Sequence, residues 1–111
     1  MARRSVPTPA EIMLTMLKTD LSISTTTAYD ERLNQRIAAA QAAIIEEGAS
    51  TLDASDPLDR ELIVMYAAWQ WRKRDFTLGS QQSKDMTTMP SMLRHALNNR
   101  VFKEKARATD G

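Results

Sequence analysis

The stretch from Pro57 to Phe76, PLDRELIVMYAAWQWRKRDF, decides the fold. It holds both tryptophans, one of the two tyrosines and the longest apolar run. Asp56 and Pro57 open it as a helix opens. The Asp side chain can accept from a free backbone N–H, and Pro in the first turn gives up a hydrogen that had no partner. Asp59 places negative charge at the positive end of the helix dipole, and Arg72, Lys73 and Arg74 place positive charge at the other end. Leu58, Leu62, Met65, Trp69 and Phe76 recur at helical spacing, with Tyr66 beside them. Ile63, Val64, Ala67, Ala68 and Trp71 cover most of the remaining faces, where a surface helix would keep a polar side. The pattern predicts a central helix packed on several sides, with some of its cover able to come from another chain. Trp69 is expected in the subunit core and Trp71 nearer the periphery.

The flanking sequence supplies the neighbours. Thr8-Pro9-Ala10-Glu11 reads as a capping box for a first helix from Pro9 to about Thr19, with Ile12, Met13, Met16 and Leu17 as its apolar stripe. Residues 1–7 read as a flexible basic arm. Leu21 to Thr27, LSISTTT, is hydroxyl-rich and reads as a loop that tucks Leu21 and Ile23 inward. A second helix is expected from about Ala28 to Glu47, capped by Thr26 or Thr27 and ended by Gly48. Tyr29, Leu33, Ile37, Ala40 and Ile44 form its inner stripe, and its alanines let a neighbour approach closely. After the central helix, Thr77 to Lys84 is polar with little to bury, and it reads as a loop that is mobile or orders on a partner. A fourth helix opens at Pro90 or Ser91, with Met92, Leu93, Ala96, Leu97 and Val101 facing in. From Lys103 to Gly111 the chain reads as a flexible tail. The class is all-α: one small bundle of four helices over residues 8–102, with a mobile loop before the last helix and flexible termini.

Composition narrows the chemistry. At 111 residues the chain makes one domain with a modest core. Its 42% hydrophobic content is too high for disorder. Three glycines leave little room for a glycine-rich phosphate cradle, and the lack of cysteine excludes disulfides and thiolate metal sites. No window approaches the ~20 apolar residues of a membrane span, and no apolar stretch follows Arg3 and Arg4 as a signal peptide would require. Net charge is +1, but it is segregated. The middle, from Asp30 to Glu61, is acidic, and the later part, from Arg72 to Arg107, is basic. Such polarity suits copies that meet head to tail as well as two solvated faces.

No catalytic constellation emerges. His95 has no second ligand at metal spacing and reads as a surface or packing residue. No serine or threonine sits in a nucleophile-elbow sequence. Helix capping accounts for Asp56 and Asp59, and the EF-hand spacing is absent. Arg72-Lys73-Arg74 beside two tryptophans fits a base-stacking platform in principle, but the helix dipole and core packing explain the same residues. The seven methionines are read as gap-filling core. No cofactor or metal is expected, and the chain is read as a non-enzyme.

The order of elements carries a resemblance. TPAEIMLTMLKTDL opens a capped helix, and an alanine-rich amphipathic helix follows. Next come DPLDRELIVMYAAWQWRKRD, a polar loop, and MPSMLRHALNNRVF. Over roughly Pro9 to Lys103 this resembles the head–tail connector, or adaptor, proteins of long-tailed bacteriophages, most specifically at Met89–Arg94 and Ala96–Arg100. The resemblance implies a homo-oligomeric ring of about a dozen subunits built by head-to-tail contacts. The ring would dock on the portal protein, extend the channel for double-stranded DNA, and receive a neck, stopper or tail protein. The subunit would be made in the bacterial host cytoplasm and reside at the head–tail junction of the virion, with no membrane association. By position, the interface would draw on Trp71, Arg72, Lys73, Arg74, Leu78, Lys84, Met89, Arg94, Arg100 and Phe102. The alternative is a small helical DNA-binding packaging or regulatory protein, for which the basic later part speaks and the near-neutral net charge does not.

Overall fold

The computed structural model describes residues 6–78 and 89–110, with side chains to Lys73 in the third helix and to Arg107 in the fourth. The flexible-arm residues 1–5, the loop 79–88 with Lys84, and the side chains of Arg74, Phe76 and Leu78 lie outside the described residues. The chain forms four helices: α1 (Pro9–Asp20), α2 (Asp30–Glu47), α3 (Pro57–Leu78) and α4 (Ser91–Asp110). No strand occurs among the described residues.

Local chemistry sets the boundaries. At α1 the capping box forms as expected. Thr8 Oγ1 accepts from the Glu11 N–H at 3.2 Å, and Glu11 Oε1 accepts from the Thr8 N–H at 3.3 Å. The C-terminus closes in a Schellman arrangement. The Ile23 N–H donates to the Lys18 carbonyl at 2.9 Å and the Ser22 N–H to the Thr19 carbonyl at 3.1 Å. Ser22 takes the left-handed conformation, φ 60°, that glycine more often supplies there. At α2 the threonines do not cap. Thr26 Oγ1 accepts from the Ala28 N–H in a tight turn, and Tyr29 occupies the cap position without a side-chain bond. The helix therefore begins at Asp30, two residues later than its periodicity suggested. Gly48 ends it at φ 131°, and a Cβ there would come within 3.0 Å of Val101 Cγ1. At α3, Asp56 Oδ1 accepts from the Leu58 N–H at 2.9 Å.

α3 is the central helix, in contact with α1, α2 and α4. α1 and α2 also pack on each other, while α4 rests mainly on α3. The core joins Met13 and Leu17 of α1, Leu33, Ile37, Ala40 and Ile44 of α2, and Leu93 and Leu97 of α4 around Leu62, Ile63, Val64, Tyr66, Ala67, Ala68 and Trp71. The molecule is a slab of 53 × 46 × 18 Å. That thickness corresponds to two layers of helices at ordinary ~8–10 Å spacing.

Four expectations are corrected. Trp71 is the buried tryptophan, 9% exposed, with its ring edge-on to Tyr29 at 5.9 Å, while Trp69 is half-buried. The reason is that α1 and α2 cover the Ile63–Ala67–Trp71 side of α3, and Trp69 stands on the side toward which neither turns. Leu58 does not face inward and is 70% exposed. Met92 is likewise exposed rather than part of the inner face of α4. Finally, the chain from Lys103 continues as helix to Asp110. Glu104 and Arg107 anchor it by polar bonds to Thr51, an attachment with no apolar signature in sequence.

Candidate interaction surface

The stripe Leu58–Leu62–Met65–Trp69 lies at steps of four, three and four residues, so it forms one face of α3. In the fold only Leu62 of this stripe is buried. Leu58 is exposed, and Met65 and Trp69 are half-buried. Leu58, Leu62 and Met65 form the α3 wall of an open groove of about 340 Å³ whose other wall is Ala96, Asn99, Arg100 and Lys103 of α4. Glu61 stands at its rim. Trp69 continues the stripe one turn further on, edge-on to Tyr66 at 5.5 Å and with Lys73 Nζ 5.0 Å from its ring centroid. Its indole Nε1 is buried without a hydrogen-bond partner among the described residues. An apolar row left open beside a polar rim is the anatomy of a protein-binding surface.

The floor of the groove is held by an ion-pair network. Arg100 Nε donates to Asp59 Oδ1 at 2.8 Å, and its Nη2 lies 3.4 Å from Oδ2, so the pair is bidentate. The two side chains are 10% and 6% exposed. Asp59 Oδ2 also accepts from the Asp53 N–H at 3.0 Å, which ties the α2–α3 loop to the start of α3. Arg100 reaches Glu104 Oε1 at 3.3 Å and Thr51 Oγ1 at 3.1 Å. Thr51 donates to Glu104 from both its N–H, at 2.8 Å, and its hydroxyl. These donors hold the Glu104 carboxyl below the usual carboxylate range, with the Thr51 hydroxyl bond the largest cause. The Asp59 hydrogen bond is the largest cause raising Arg100 further above its ordinary value. Asp59, assigned from sequence to the helix dipole, is thus a buried structural anion.

A second surface is basic. Arg32, Gln35 and Arg36 of α2 line a polar cleft with Trp71 at its wall. Arg60, Arg72, Arg94, Arg100 and Arg107 each donate to a carbonyl, hydroxyl or carboxylate within the chain. Among the described residues no such acceptor meets Arg32 or Arg36.

The sequence-derived candidates disperse over the molecule. Trp71 lies in the core. Arg72 is exposed and donates from Nη2 to the Asp20 carbonyl at 3.0 Å, pinning the end of α1. Lys73 covers Trp69. Met89 packs half-buried against the core. Arg94 is exposed, 3.6 Å from Glu47. Arg100 is committed to the internal network, and Phe102 stands 73% exposed on α4. His95 is exposed. The groove itself escaped sequence reasoning, although its α3 wall was visible as a period, because the period alone does not say which apolar face the neighbours choose.

Among the described residues no cluster of His, Cys, Asp and Glu could hold a metal ion. No described helix is long and apolar enough to cross a membrane. Compared with protein-family models, curated proteins and solved structures, the chain matches none of them.

Proposed function

We propose that this chain is a structural subunit that assembles head to tail into a ring, acting as a head–tail connector of a long-tailed bacteriophage. In this reading the ring sits on the portal vertex, extends the DNA channel and receives the neck or tail, and the subunit carries no catalytic chemistry. The observation that carries the proposal is the open apolar row on the central helix. A helix that is apolar nearly all round is covered on one side by α1 and α2, while the row Leu58–Met65–Trp69 waits for cover that the subunit does not supply. A flat, two-layer slab with segregated charge is a suitable ring segment, because each copy presents different surfaces to its two neighbours. The order of motifs resembling the connector family supplies the biological setting. The isolated subunit is expected to be monomeric or weakly associating, and to form rings at high concentration or with portal protein. Negative-stain images and light scattering across concentration, with and without portal, check this. A permanent compact dimer indifferent to portal would sink it.

The Arg32–Arg36 cleft favours a second reading, a small DNA-binding protein, since planar guanidinium groups suit phosphate oxygens. Gel shifts across a salt series separate the two. Sub-micromolar binding with a steep salt slope, lost in Arg32→Glu/Arg36→Glu, supports DNA recognition. Weak binding that ignores sequence suits a channel wall.

A further inference from the structure

The groove between α3 and α4 is the strongest unassigned feature of the molecule, and the same chain carries a side chain suited to fill it. Phe102 is 73% exposed, the most exposed aromatic ring among the described residues. At 100° per residue it stands roughly 60–120° round α4 from Ala96, Asn99 and Lys103, which form the groove wall. It therefore cannot fold back into its own groove. We propose that Phe102 of one copy seats in the α3–α4 groove of the next, against Leu58, Leu62 and Met65. The proposal rests on the ring reading above and names the contact that would build the ring.

Two observations favour a second copy as the occupant. The first is charge. Around Phe102, the outer face of α4 carries His95 and Lys105 and no carboxylate, since Glu104 is turned to Thr51 and Arg100. The groove's rim on α3 carries the exposed Glu61, which pairs with no group among the described residues. Docking an aromatic ring from a basic face into an apolar slot with an acidic lip satisfies both partners. The second is direction. Knob and groove are different surfaces of one subunit, so each copy that receives a ring still offers its own. Such a contact is heterologous and propagates, closing into a ring when the rotation between copies allows. The Asp59–Arg100 pair gives the slot a rigid floor, and aromatic anchors in pre-formed slots dominate the energetics of interfaces of this kind.

The test uses the full chain and three proteins: wild type, Phe102→Ser, and the double variant Leu58→Ser/Met65→Ser. Phe102 and Leu58 are largely exposed, so folding should survive, and circular dichroism checks that it does. Light scattering and sedimentation velocity are measured across concentration. Each variant is expected to weaken self-association at least tenfold and to give no rings. Mixed in equal amounts, the two variants should recover a heterodimer and nothing larger, because one intact knob meets one intact groove. Phe102→Ser assembling into rings as wild type does would overturn the contact while leaving the ring reading in place. A wild-type chain that stays monomeric at every concentration and with portal protein overturns both. Association that stops at a symmetric dimer overturns the head-to-tail contact.

Discussion

Trp71→Ala is expected to destabilise the fold by about 3–5 kcal/mol, in the range seen when a large aromatic is removed from a packed core. Trp71 is 9% exposed and is gripped from α2 by the edge of the Tyr29 ring. Its removal leaves a cavity at the junction of α2 and α3 that the rigid surroundings can only partly close. The same change at Trp69 should be markedly milder. Trp69 is half-buried, its Nε1 has no hydrogen bond to lose, and part of its contact is with the end of the Lys73 side chain. Denaturant unfolding of both variants, followed by far-ultraviolet circular dichroism, checks the order. Equal losses would mean that the two faces of α3 bear equal packing loads, and a larger loss at Trp69 would invert the arrangement described above.

The second large effect is expected at the Asp59–Arg100 pair. Removing one partner strands the other as an uncompensated charge in a nearly dry site, which costs about 3–5 kcal/mol. Asp59→Ala and Arg100→Ala should each approach that loss, and the double variant should be far less destabilised than their sum, since the second change removes the stranded charge. Arg100→Ala should also loosen the distal part of α4, read as faster amide exchange from Lys103 onward. The network carries a pH dependence with a definite sign. The Glu104 carboxyl is held below its ordinary value near 4.5 by Thr51 and Arg100. Its contribution is therefore fully present above that value and is lost as pH falls through the lower folded-state value. Thermal melts over the acid range should show a steeper decline for wild type than for Glu104→Gln, and parallel profiles would exclude Glu104 as the source.

Both effects arise at places where sequence periodicity was silent or misleading. Asp59 occupies the first turn of a helix, where a carboxylate has a sufficient local explanation in the dipole. Arg100 is forty-one residues away, and nothing in the local pattern joins the two. The distal half of α4 is attached by Glu104 and Arg107, polar residues that no hydrophobic stripe records. For the tryptophans the local signal was ambiguous. Trp69 falls on the regular Leu58–Leu62–Met65 period and Trp71 does not, yet the neighbours cover the side without the regular period. The interaction surface was half visible for the same reason. Its apolar residues were recognised as a set, but their outward orientation was not.

By itself the sequence determined the class and the punctuation. The capping box at Thr8, the cap at Asp56, the stop at Gly48, and helices with no alternating stretch between them all follow from interactions within a few residues, which a linear pattern records. It also marked α3 as central, because an all-round apolar helix can be satisfied only by neighbours on several sides. The tertiary structure alone decided which side of α3 is covered, that Trp71 is inside, that Asp59 meets Arg100, and that an apolar groove with an acidic rim stays open beside an exposed Phe102. Those choices depend on how four helices of unequal length share one helix's surface. The apolar area α1 and α2 can bury is finite, and the face they leave open is set by packing geometry, on which the order of residues along one helix is silent.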